Sequence, residues 1–139
     1  MSPAGPPPDW RPGASRQALE ARASLLAAIR AFFAERGVLE VETPVLSRAG
    51  NPDPNIDSMR SGDLRPRYLR TSPEFPMKRL LAAGLRDIYE LGRVFRDGER
   101  GRRHRPEFTL LEYYRLGYDE RRLADEVDGL LRHLLDGYL

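Results

Sequence analysis

A chain of 139 residues with 40% hydrophobic and 32% charged content has the balance of one ordinary globular domain, and it offers no apolar run near the roughly 18 residues of a membrane helix. It has no cysteine, which excludes disulfides and thiolate metal sites, and its two histidines, His104 and His133, stand too far apart for ligand spacing. A cytoplasmic protein with no membrane partner and no metal site within this chain is the expectation.

In chain order, residues 1–14 are dominated by proline and glycine, show no periodicity, and are expected to be a disordered lead. Ser15 is placed to cap a helix whose apolar face is Leu25, Leu26, Ile29, Phe32 and Phe33, with Gly37 as its left-handed terminator. Leu39 and Val41 then alternate with Glu40 and Glu42 in a strand that Thr43 and Pro44 stop. Ala49 to Pro66 reads as one long loop. Tyr68 to Thr71 reads as a short strand, and Ser72, Pro73 and Glu74 resemble a helix start. Pro76 places the first helical turn later, so the helix is expected to run through Leu80 and Leu81 to Gly84. Ile88–Arg96 and Glu107–Arg115 form an antiparallel hairpin with a long tip. Asp119 caps a last helix with Leu123, Val127, Leu130, Leu131, Leu134 and Leu135 on one stripe. The order predicts an α+β domain with an antiparallel sheet flanked by helices.

The chemistry concentrates in the hairpin. Net charge is only +2, yet the stretch from Arg93 to Arg105 holds six arginines against Asp97 and Glu99. Arginine forks suit bidentate phosphate recognition. In the second strand, Phe108, Leu110, Glu112 and Tyr114 share a face, which mixes a stacking surface with an acceptor and a hydroxyl suited to an amine-bearing ligand. Arg96 ends the first strand just before the basic tip, where it can grip a phosphate. No glycine-rich P-loop occurs, so any nucleotide site here is of another kind.

The run Phe95-Arg96-Asp97-Gly98-Glu99-Arg100-Gly101-Arg102-Arg103-His104-Arg105-Pro106-Glu107-Phe108-Thr109 closely resembles motif 2 of the class II aminoacyl-tRNA synthetases. Pro106-Glu107-Phe108-Thr109 and the following Glu112 are typical of the lysyl, aspartyl and asparaginyl subclass. Gly37-Val38-Leu39-Glu40-Val41-Glu42-Thr43-Pro44 resembles motif 1, and Thr71-Ser72-Pro73-Glu74-Phe75 with Met77-Lys78-Arg79-Leu80-Leu81 resembles the amino-acid-binding segment. The short lead and the spelling Glu107 to Arg115 are similar to the lysyl-type branch that modifies elongation factor P, which usually has tryptophan where Tyr113 stands.

The resemblance implies a class II fold over residues 15–139 and an enzyme that uses ATP and Mg²⁺ to activate lysine, preferably the β-isomer, as an adenylate. It further implies transfer to a lysine of elongation factor P, and a homodimer formed through the first helix and the strand after it, with Phe32 and Phe33 exposed. Carried over, Arg96 holds the α-phosphate and is the catalytic residue, and Phe108 stacks on adenine. Asp97, Gly98, Glu99, His104 and Arg105 stand at or beside ATP contacts, and Ser72, Pro73, Glu74, Glu112 and Tyr114 at lysine contacts. Two departures bear on adenine: a glutamate expected at Gly98 is one place later at Glu99, and Arg105 replaces a frequent asparagine. The chain stops before a third motif could occur, so the resemblance implies a fragment or truncated gene product with an incomplete, inactive site. Alternatives are a lysyl- or asparaginyl-type tRNA ligase core acting on tRNA and a non-catalytic dimerisation or binding module.

Overall fold

The computed structural model describes residues 10–62 and 64–136, so most of the expected disordered lead lies outside the described residues. The elements are α1 (Arg16–Glu35), β1 (Leu39–Glu40), β2 (Leu46–Ser47), β3 (Arg60–Ser61), β4 (Arg67–Leu69), α2 (Glu74–Ala82), β5 (Ile88–Phe95), β6 (Glu107–Tyr114) and α3 (Glu120–Asp136). Two three-stranded sheets result, in the orders β1-β5-β6 and β2-β4-β3.

The helix termini follow the local chemistry. Ser15 Oγ accepts from the Ala18 amide at 3.1 Å, satisfying one of the free N–H groups of the first turn of α1. Gly37, at φ +65°, turns the chain out of that helix as a left-handed residue. Asp119 Oδ1 accepts from the Arg122 amide at 2.9 Å and caps α3. The later start expected for α2 is corrected: the helix begins at Glu74, with Pro73 as its cap residue. Pro76 is thereby the third helical residue, where an N–H would have no intrahelical partner, so the missing donor costs nothing.

The predicted antiparallel hairpin is present, with Glu90 opposite Glu112 and Val94 opposite Phe108. The first strand departs from the expected all-antiparallel sheet: β1 pairs with β5 in parallel, Leu39 with Ile88 and Glu40 with Tyr89. Its partner lies across a long crossover, which is the connection a parallel pair requires. That crossover contains the second correction. The stretch read as one loop from Ala49 to Pro66 includes β3, which pairs antiparallel with β4, as does β2 on the other side.

Helices α1 and α3 cover one face of the larger sheet. Ile29, Phe32, Phe33, Val38, Tyr89 and Leu130 form the buried cluster, with Leu25, Leu91, Leu111, Tyr113 and Leu134 packed against it. Phe33 stacks on Tyr89 at 4.6 Å between ring centroids and meets Tyr113 at 5.1 Å. Phe32 and Phe33 are therefore core residues at 1% and 0% exposure, and the exposed surface expected of them for dimerisation does not exist. The α3 stripe is also narrower than read. Leu130 is buried and Leu134 packs on the core, whereas Val127, Leu131 and Leu135 stay 41–54% exposed, because six apolar positions span more arc than α1 and the sheet cover.

Candidate functional site

The period of two along β6 splits its residues between two environments. Leu111 and Tyr113 face the helices. Leu110, Glu112 and Tyr114 line a cleft of about 770 Å³ on the opposite face. The cleft is completed by Arg96 from the end of β5, by Ser72, Glu74 and Phe75 at the start of α2, and by Asn51 to Pro54 and Ile56 from the loop after β2. Five of the predicted contact residues, Ser72, Glu74, Arg96, Glu112 and Tyr114, thus meet in one cavity although they span more than forty positions of chain.

One end of the cleft is cationic. Arg96 leaves the hairpin where its amide donates to the Pro106 carbonyl at 2.9 Å, and its Nε donates to the Thr71 carbonyl at 3.4 Å. Its guanidinium lies 5.1 Å from the centre of the Phe108 ring and 3.6 Å from Glu99 Oε1. Glu99 is thus an ion-pair partner of Arg96. Gly98 adopts φ +73°, with its amide held by Asp97 Oδ1 at 2.9 Å, so the tip turns sharply just beyond Arg96.

The other end is anionic. The Tyr114 hydroxyl donates to Glu112 Oε1 at 2.8 Å, and the Ser72 hydroxyl accepts from the Glu74 amide at 3.3 Å. Burial pushes the Glu112 carboxyl above its usual range, and nearby Glu74 and Glu90 push the same way against the Tyr114 hydrogen bond and Lys78. Burial, followed by the bond to Glu112, raises the Tyr114 phenol as well, so it stays a neutral donor at physiological pH. A half-buried carboxylate crowded by two others gains most from a bound cation, which an ammonium group would supply.

The remaining predicted residues fall into two groups. Pro73 is buried beneath the segment it begins and shapes it. His104 and Arg105 are exposed on the hairpin tip, outside the lining of the cleft, with Arg105 Nη1 donating to the Gly101 carbonyl at 3.1 Å. Among the described residues no group of three or more histidines, aspartates and glutamates could hold a metal ion. An adjoining cleft of about 880 Å³ shares Asn51, Thr71, Ser72 and Phe75 and carries Arg48, Arg67 and Arg79 without any carboxylate in its lining.

Several residues at the site were not read from the sequence. The Asn51 side-chain amide donates to Thr71 Oγ1 at 2.8 Å, its main-chain amide donates to Ser58 Oγ at 2.9 Å, and the Asp97 amide donates to the Asp57 carbonyl at 2.9 Å. The loop read only by composition is therefore the wall of the cleft. Beneath it, Arg70 and Glu90 form a buried ion pair, with side chains 7% and 3% exposed. A glutamate within the otherwise apolar run Ile88-Tyr89-Glu90-Leu91 was the available signal, since a strand interior accepts an acid only with a partner.

The family model for tRNA synthetases class II (D, K and N) matches residues 8–138. The chain belongs to that family. Curated relatives of this synthetase-family chain include proteins called elongation factor P–(R)-β-lysine ligase from Vibrio cholerae serotype O1, at 52% identity, and from Vibrio vulnificus, at 50%. A third, from Avibacterium paragallinarum, carries the same description at 49% identity. Each alignment covers 91% of this chain but only 41–42% of the relative, so the synthetase-family chain spans about two fifths of the length of those proteins. The spelling of the hairpin thus identified the family correctly.

Proposed function

We propose that this chain supplies the nucleotide-gripping and amine-binding residues of a ligase that activates a lysine, preferably (R)-β-lysine, with ATP and transfers it to a lysine of elongation factor P. The observation that carries the reading is the polarity of the cleft: Arg96 at one end, Glu112 with Tyr114 at the other. A diamino acid bridges such a cleft with an ammonium on Glu112 and its carboxylate directed toward the phosphate held by Arg96. The descriptions of the Vibrio relatives support the choice of substrate and acceptor.

In the first step a carboxylate oxygen of the amino acid attacks the α-phosphorus of ATP. The bond to the bridging oxygen of the β-phosphate breaks and pyrophosphate leaves. Arg96 offsets the charge that develops on the α-phosphoryl oxygens, and Phe108 gives the base a flat apolar face. In the second step the acceptor amine attacks the acyl carbon, AMP departs with the bonding pair, and the amine loses a proton. Mg²⁺ belongs to this proposal as the counter-ion of the ATP phosphates. The described residues provide no three-donor cluster for it, and the side chains that this chain brings to the steps above are Arg96 and Phe108.

A homodimer is part of the same proposal. Its apolar contact would be built from Leu19 of α1 and Leu39 of β1, 52% and 56% exposed, and not from the buried Phe32 and Phe33.

The test uses the full-length protein, with pyrophosphate exchange measured for (R)-β-lysine and lysine and the mass of elongation factor P followed after incubation. Exchange dependent on the amino acid and a mass gain of one lysyl group support the proposal. Charging of tRNA without modification of elongation factor P would overturn it.

A further inference from the structure

We propose that Arg70 is a positioning residue: anchored by Glu90 and Thr43, it fixes the amine-side segment Thr71–Glu74 against the strand end that carries Arg96. This rests on the functional reading above and extends it to residues that do not touch substrate.

Arg70 bonds to separate pieces of chain. Its Nη1 donates to Glu90 Oε1 on β5, to the Thr43 carbonyl at 3.1 Å and to Thr43 Oγ1 at 2.9 Å, while its Nε donates to the Arg93 carbonyl at 3.0 Å. Glu90 Oε2 in turn accepts from Thr43 Oγ1 at 2.7 Å and from the Thr43 amide at 3.2 Å. The main chain of Arg70 joins the same frame, its amide donating to the Val45 carbonyl and its carbonyl accepting from the Phe95 amide, both at 2.9 Å. The next residue, Thr71, touches both halves of the site: its carbonyl accepts from Arg96 Nε and its hydroxyl from Asn51.

The glycine opposite Leu110 has a matching role. A Cβ on Gly92 would lie 2.5 Å from Arg70 Nη2 and 3.2 Å from Glu90 Oε1, so the missing side chain is the passage through which the guanidinium reaches its carboxylate. A buried ion pair is an inefficient way to gain stability, because desolvation offsets most of the attraction. Here the pair secures geometry, with every Glu90 oxygen occupied and Arg70 tied to β5 and to the segment after β1.

The phosphate side has its own support. The Arg96 amide is bonded to Pro106 within the hairpin, whatever Arg70 does. Loosening the Arg70 side chain leaves these main-chain bonds, including that from the Phe95 amide to the Arg70 carbonyl, in place, so the amine side shifts more than the phosphate side and nucleotide binding changes least. A displacement of about 1 Å between reacting groups costs on the order of 100-fold in rate.

The experiment compares Arg70→Lys, Arg70→Gln, Glu90→Gln and Gly92→Ala with the unaltered full-length protein. It measures amine-dependent pyrophosphate exchange per titrated active site, alongside thermal melting. The expected result is an amine KM raised about tenfold or more and kcat lowered by up to about 100-fold, with ATP KM within about twofold. Arg70→Lys, which keeps the charge, should be less impaired than Arg70→Gln. Should a substitution at Arg70 prevent folding, Glu90→Gln keeps shape and one acceptor and carries the same expectation. Fewer titratable sites and lower melting with both KM values unchanged per site would overturn the positioning role alone. Absence of exchange in the unaltered protein would overturn the functional reading, and the positioning role with it.

Discussion

Replacing Glu112 by Gln should improve the stability of the free protein at neutral pH while impairing its use of an amine substrate. The carboxyl is half-buried on β6, faces Glu90 across the strand pair and feels Glu74 from the start of α2, with only Lys78 and the Tyr114 hydroxyl opposing them. Its folded-state pKa is raised, so folding favours the protonated form. The stabilising contribution is present below the unfolded carboxyl value and is lost as pH rises through the folded value. Glutamine retains an oxygen for the Tyr114 hydroxyl and removes the charge. The variant should therefore melt higher than the unaltered protein at pH 7, and the difference should shrink as pH falls toward the carboxylate range. Binding should move the other way. A hydrogen bond to a charged group contributes roughly 1.5–3 kcal/mol net, so amine affinity should fall roughly 10-fold to 150-fold. Thermal melting across pH and calorimetric titration with (R)-β-lysine measure the two effects. A variant that melts lower at every pH, by a constant amount, would refute the crowded-carboxylate account. Unchanged amine affinity would refute the assignment of the anionic end.

Arg96→Ala should abolish amine-dependent pyrophosphate exchange in the full-length protein while leaving its melting within about 1 kcal/mol of the original, since the side chain's protein contacts are long; retained exchange would remove the phosphate role. Phe33→Ala should destabilise the fold by about 3–5 kcal/mol in denaturant titration, because the ring is fully buried between Tyr89 and Tyr113. Pro76→Ala should change stability by less than about 1 kcal/mol, as the third helical residue needs no donor; a larger loss would mean that the ring packs in a way the helix start does not explain. Leu39→Glu should shift a dimer toward monomer in analytical ultracentrifugation at roughly tens of micromolar, whereas Leu135→Glu on the exposed side of α3 should leave the association state unchanged.

How much was legible depended on the range over which each signal acts. Ser15, Gly37, Gly84 and Asp119 end or begin helices through bonds and dihedrals within a few residues, so the sequence alone determined those boundaries. The hairpin and the face shared by Phe108, Leu110, Glu112 and Tyr114 were legible because a strand alternates strictly, and the motif spelling identified the family across the same residues. Tertiary structure alone decided that β1 runs parallel to β5, that Phe32 and Phe33 lie inside, and that the loop after β2 walls the cleft. It also decided the frame built by Thr43, Arg70 and Glu90, whose bonds join positions 20 to 47 residues apart. A polar residue in a sequence announces that it needs a partner; only the folded chain, by burying both groups together, chooses which one it receives.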